Sequence, residues 1–170
     1  MNQPLQAANE VTHAFRFPPA PRLGNADLYS YRAYYYYTAK DNVKALLDCE
    51  ASLALNRNNV SCLFIKGQIL LGEKKFNAAV DCFNECAAKK MKDHNLYFLR
   101  GMANYYLAHN EAAISDFTKY LEMDSSNAQV YYLIGICKND IKPKTGCDYL
   151  KKAYAMGFKQ ASGMLDEQCK

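Results

Sequence analysis

The chain has 170 residues, 50% of them hydrophobic, enough for one compact domain or a short repeat array with a continuous core, which excludes a wholly disordered polymer. Its formal charge of +4 is modest, and an acidic-leaning block at 94–127 separates the more basic stretches, so no continuous basic face for nucleic acid is expected. No apolar run reaches the roughly 18 residues a membrane span requires, and the opening stretch lacks a secretory h-region; the reading is a cytoplasmic protein without membrane insertion.

Residues 1–25 read as an arm. Leu5, Ala8, Thr12 and Phe15 fall on one side of a short helix, while "HAFRFPPAPRLG" at 13–24 carries three of the five prolines and favours extended polyproline geometry. Phe15, Phe17 and these prolines are expected to lie over an aromatic surface of the same chain or of a neighbouring copy.

The next stretch, "YSYRAYYYYTAK", opens a repeat. Its Ala33 is followed at a fixed step of 34 by Gly67, Gly101 and Gly135. A large residue stands one helical turn before each: Tyr29, Leu63, Tyr97 and Tyr131. After the first three come Ala45, Ala79 and Ala113, and then Cys49, Phe83 and Phe117. A small residue at a recurring site lets a second helix approach closely, and the large residues fill the seam, so each repeat reads as two helices. Polar or turn-forming segments ("AKDN", "LGEKK", "NRNN", "DSSN") fall between them, and no stretch alternates in the manner of a strand. The repeats occupy about 26–59, 60–93, 94–127 and 128–157. The fourth fits when its inner turn, "DIKPKTG", is one residue shorter, which sets Leu150 and Ala153 level with Phe117 and Tyr120. Residues 158–170 then form an end cap, with Phe158, Ala161 and Leu165 on one face; Gly163 weakens that helix by about 1 kcal/mol relative to alanine.

With this step and these aromatic, small and Ala/Phe positions, residues 26–157 resemble the tetratricopeptide repeat family, although the family's proline at the end of the second helix is replaced by Arg57, Met91 and Ser125. The resemblance implies an all-α, right-handed superhelical solenoid with a C-terminal capping helix, whose first helices line an inner groove. At about 100° per residue, Tyr36 shares the seam side with Tyr29, Tyr35 leans toward the next repeat, and Tyr34, Tyr31 and Tyr37 face away from the seam. The resemblance therefore places Tyr34, Gln68, Met102 and Ile136 at the groove centre. Beside them stand Tyr31, Ile65, Leu99 and Leu133; then Ser30, Phe64, Phe98 and Tyr132; then Tyr37, Leu71, Tyr105 and Asn139. The candidate peptide-binding set is Tyr31, Tyr34, Tyr37, Phe64, Gln68, Leu71, Phe98, Met102, Tyr105, Tyr132 and Ile136.

An open apolar strip of this kind marks an interaction site. The chaperone-binding subgroup of the family grips a chain-terminal carboxylate through cations, but the matching positions are Ser30, Tyr34, Ile65, Asn95 and Leu99, and none is a cation. The lining is more similar to the subgroup that holds hydrophobic client segments, such as secretion chaperones. The expected partner is thus a protein or peptide with an apolar segment; self-association into a homo-oligomer, with the groove filled by the arm or by another copy, is the alternative.

Catalysis is not expected. No phosphate-cradling glycine loop, nucleophile elbow or metal-spaced histidine cluster occurs, which argues for no catalytic residues, no metal site and no cofactor. The seven cysteines read as buried thiols; Cys82 and Cys86 share a helical face but lack the other ligands zinc needs. "NVS" at 59–61 is a possible glycosylation acceptor in a secretory setting.

Overall fold

The structure, a computed structural model, describes residues 3–16 and 24–170, the side chains of 14–16 excepted. Among the described residues all regular structure is α-helical, and the chain divides into two compact units, Met1–Met91 and Lys92–Lys170. The first contains α1 (Gln3–Arg16), α2 (Asn25–Thr38), α3 (Asn42–Leu55), α4 (Val60–Gly72) and α5 (Phe76–Ala88). The second contains α6 (His94–Tyr106), α7 (Asn110–Met123), α8 (Ala128–Ile141), α9 (Cys147–Ala155) and α10 (Ala161–Gln168).

Local chemistry fixes where these helices start and stop. Asp41, Asn59, Asp93 and Asn127 are N-caps whose side-chain oxygens accept from the backbone N–H of Lys44, Cys62, Asn95 and Gln129. The turns inside the first three helix pairs are alike: Lys40, Lys74 and Ala108 each take a positive φ of 66°, 60° and 57°. Each turn closes with the same two backbone bonds, as in Lys40 N to Tyr37 O and Asp41 N to Tyr36 O. The left-handed residue satisfies carbonyls that the helix end would otherwise leave open.

Helix pairs close over the missing side chain of a glycine. A Cβ built on Gly67 would meet the Phe83 ring at 2.7 Å, and one on Gly101 would meet Phe117 at 2.7 Å. One on Gly135 would meet Leu150 at 2.7 Å, which supports the shortened turn of the fourth repeat. There α8 and α9 approach so tightly that a Cβ on Gly146 would sit 1.9 Å from the Gly135 carbonyl oxygen. In the first pair the seam is filled differently. Ala33 keeps its methyl because the matching position holds the smaller Cys49, and both are fully buried in one cluster with Ala45, Cys62, Ile65 and Ile69.

A second pattern runs at twice the repeat step. Arg32 meets Asp48 through two parallel bonds, Nε to Oδ2 at 2.7 Å and Nη2 to Oδ1 at 2.6 Å. Arg100 meets Asp116 in the same way, at 2.9 and 2.6 Å. The pairing raises the pKa of both arginines. The intervening repeat carries Lys66 and Cys82 at these places. Below the pairs, Asn59 Nδ2 donates to Ser52 Oγ at 2.9 Å in the first unit and Asn127 Nδ2 to the Tyr120 hydroxyl at 3.3 Å in the second. Each compact unit thus begins its repeats with an ion-paired one and follows with one that lacks the pair.

Two expectations are corrected. Residues 13–16, read as the start of an extended proline stretch although Phe15 was also set on the helix face, close α1 instead. Cys147 and Cys169 are not buried thiols but form a disulfide between the first residue of α9 and the residue after α10. The other five, Cys49, Cys62, Cys82, Cys86 and Cys137, are buried and free. Burial pushes Cys137 up to about 11 and Cys86 up to about 12, so these thiols stay protonated. Cys49 is raised by its hydrogen bond with Cys62.

The end cap forms as its pattern implies. Phe158 stacks on Tyr132 with ring centroids 4.9 Å apart, and Ala161 is fully buried with Ala153 and Tyr131. Nothing lies within 4 Å of a Cβ placed on Gly163. Gly163→Ala is therefore expected to stabilise the second unit by up to about 1 kcal/mol, seen as a higher urea midpoint; a lower midpoint would show that the cap is held by something other than its helix.

Candidate functional site

The seam consumes one side of α2 and leaves the other to solvent. Tyr31 and Tyr34 retain 51% and 52% of their accessible surface, and the Tyr34 ring stands edge-on to Tyr35 at 5.6 Å. Tyr37 is half-buried against the Ile65 and Ile69 cluster, and burial raises its hydroxyl pKa. On α4, Phe64 is half-buried and edge-on to Phe83 at 5.9 Å, with Gln68 and Leu71 half-buried along the same side. Ile65 is down to 4% exposure: its ring of neighbours is internal, so it is core rather than lining.

In the second unit the same positions are more enclosed. Phe98 lies between Phe117 and Tyr120, with centroids 6.3 and 5.5 Å away, and Met102 packs beside it. Tyr105 is half-buried, its pKa raised by burial, and its ring sits 5.7 Å from Tyr106. Tyr106 is exposed, and it falls one turn after Met102 on α6; it belongs with the candidate residues although it was not among those expected. On α8, Tyr132 is half-covered by Phe158, while Leu133 and Ile136 retain only 5% and 7% exposure. Asn139 is buried, donating Nδ2 to Gln168 Oε1 at 2.9 Å and accepting the Gly146 N–H at 2.6 Å.

In neither unit do the candidate positions hold a charged side chain. The positions where a carboxylate clamp would need cations hold Ser30, which donates to Asn59 Oδ1 at 3.4 Å, and exposed Asn95. Asn59 itself is 9% exposed and caps α4, so it is a structural residue and not a presented glycosylation site. The helical part of the arm docks elsewhere. Ala8 is fully buried, and Arg32 Nη1 donates to Thr12 Oγ1 at 3.2 Å. Arg32 lies about 160° around α2 from Tyr34, so α1 leaves the tyrosine side uncovered. Phe17 and the prolines after it, together with the Phe15 side chain, lie outside the described residues. Among the described residues, no group of three or more His, Cys, Asp or Glu is placed to hold a metal ion, and no helix is long and apolar enough to cross a membrane.

No family model matches the chain. Among solved structures it is similar to YrrB, described as a TPR protein with an unusual peptide-binding site. That likeness has a TM-score of 0.78 at 16% identity and covers 89% of this chain and 76% of YrrB. The fold is a tetratricopeptide-repeat fold. MamA from Desulfovibrio magneticus RS-1, from residue 41 to its end, superposes with a TM-score of 0.76 at 19% identity, covering 92% of this chain and 87% of that one. A curated relative, the BBSome complex member bbs-4 of Caenorhabditis elegans, is 26% identical over 101 residues, 58% of this chain. The chain matches only 22% of that relative's length. All-α tetratricopeptide repeats are thus the fold class.

Proposed function

We propose that the protein is a non-catalytic interaction module, an adaptor or chaperone-like holder, that binds an apolar segment of another protein on the tyrosine-rich side of its first helices. The observation that carries this reading is the half-exposure of Tyr31 and Tyr34 on α2, with no charged side chain in the column and α1 docked on the opposite side. Tyrosine suits such a surface because it buries a ring while its hydroxyl stays in water. YrrB, of the same fold, is described as having a peptide-binding site, which supports assigning peptide recognition here. Covering four such side chains contributes about 6–12 kcal/mol at roughly 1.5–3 each, against an association cost of about 4–15 kcal/mol. Micromolar binding of a short peptide is the expected result.

A peptide array of aromatic and aliphatic segments, probed with the wild type and with Tyr34→Ala/Phe98→Ala, tests this. Loss of at least about tenfold in affinity, roughly 1.4 kcal/mol, is expected for the double variant with unchanged helicity. Undiminished binding would remove the assignment.

Self-association is a second reading, favoured by the exposed stripe Val43, Leu47 and Leu55 on α3, which no described residue covers to any great extent. It predicts a mass in solution that rises with concentration and falls back on Leu47→Glu.

A further inference from the structure

The tyrosine side of the second unit ends in an element with a covalent attachment at its far end. α10 is eight residues long and buries only Ala161 completely. A helix so short does not stand alone in water. Its entry is held by Phe158 on Tyr132 and by Ala161 against Tyr131 and Ala153. Its exit is held by Gln168 on Asn139, by Lys144 Nζ donating to the Lys170 carbonyl, and by the Cys147–Cys169 bond, which joins residues 22 apart in sequence.

What this segment touches belongs to the binding column. Tyr132, Ile136 and Asn139 lie at i, i+4 and i+7 on α8 and so share one side of it. Phe158 occupies the first and Gln168 the last. The matching residues Ser30, Tyr34 and Tyr37 on α2 carry no such cover from α1, and Tyr34 is half-exposed where Ile136 is buried. Both bridged cysteines are half-buried, within reach of a reductant, whereas the five free ones are enclosed.

We infer that the Cys147–Cys169 disulfide is a redox clamp: reduced by a dithiol, it releases the end of α10 and opens the Tyr132–Ile136–Asn139 side of α8 to the apolar segment the protein binds. This rests on the peptide-binding reading of the preceding subsection. In the chemical step one thiolate of the dithiol attacks one of the two sulfurs, forming a mixed disulfide and displacing the other cysteine as a thiolate that takes up a proton. The second thiol of the reagent then displaces the remaining cysteine and closes the reagent's own disulfide. Two electrons and two protons pass from the dithiol to Cys147 and Cys169. Exposed disulfides are the labile, regulatory kind, more readily reduced than enclosed ones.

The test uses the full chain, oxidised, treated with dithiothreitol, and as Cys147→Ser/Cys169→Ser. Thiol titration in denaturant should count five before treatment and seven after it. Amide hydrogen exchange over 161–169 is expected to accelerate by at least about tenfold in the reduced and double-serine proteins, with α6 and α7 unchanged. The fluorescence of the apolar dye anilinonaphthalene sulfonate should rise on reduction, and Tyr132→Ala should abolish the rise. Unchanged exchange in α10, or a disulfide that resists dithiothreitol until the protein unfolds, overturns the clamp. Faster exchange with no added dye binding overturns the opening of the face. Neither result touches the peptide-binding reading, which stands or falls on Tyr34→Ala/Phe98→Ala in the oxidised protein.

Discussion

Asp116→Ala is expected to lower the stability of the second unit by about 3 kcal/mol, the range found when one member of a buried ion pair is removed. The Asp116 carboxylate accepts from Arg100 Nε at 2.9 Å and Nη2 at 2.6 Å, and Asn104 Nδ2 lies 3.4 Å away. The two side chains keep 14% and 5% of their exposure, so water replaces little of what is lost. The arginine would remain charged in a site built to neutralise it, since a guanidinium keeps its proton even without a carboxylate partner. Replacing both partners with apolar residues of similar volume should cost far less than the single change. Arg100→Lys should not preserve stability, because a point charge cannot reproduce two parallel bonds. The equivalent loss at Asp48 should be smaller, because Arg32 and Asp48 keep 19% and 7% exposure, so more water reaches that pair. Urea unfolding followed by hydrogen exchange in each compact unit separates the effects, since two units need not melt together. A loss below about 1 kcal/mol at Asp116, the worth of an exposed pair, would show that the site is wetter than its geometry implies.

The repeat step was legible because packing imposes it. A glycine that a phenylalanine overlies at 2.7 Å cannot drift to another position, so Gly67, Gly101 and Gly135 hold their phase with Phe83, Phe117 and Leu150. The two-repeat ionic pattern was equally present in Arg32, Asp48, Arg100 and Asp116, but charged residues read as solvated until a partner is seen across the seam. The candidate face was legible in direction and not in depth. An angle around one helix separates Tyr34 from Tyr29, yet the same column holds Tyr31 at 51% exposure and Ile65 at 4%, because side chains of neighbouring helices decide the difference. The disulfide left no local signal at all: Cys147 and Cys169 are brought together only by the return of α10 along α9.

Phe117→Ala is expected to cost about 3–5 kcal/mol, the usual range for a fully buried phenylalanine, and its coupling to Gly101 makes the more exacting experiment. Phe117 is completely enclosed, with its ring filling the space where Gly101 lacks a side chain. Gly101→Ala alone should also destabilise, since the ring must shift to admit a methyl group; overpacking costs about 1–3 kcal/mol, offset in part by the roughly 1 kcal/mol helix preference of alanine. The first repeat holds the alternative solution, Ala33 with Cys49, both fully buried. Phe117→Cys combined with Gly101→Ala should therefore lose less than the sum of the two single changes, by about 1 kcal/mol or more of favourable coupling. Denaturant melts of the four proteins give that coupling directly. Strict additivity would mean that the helices of the second unit, unlike those of the first, cannot close over the smaller pair, and that the Ala33–Cys49 seam depends on neighbours of its own.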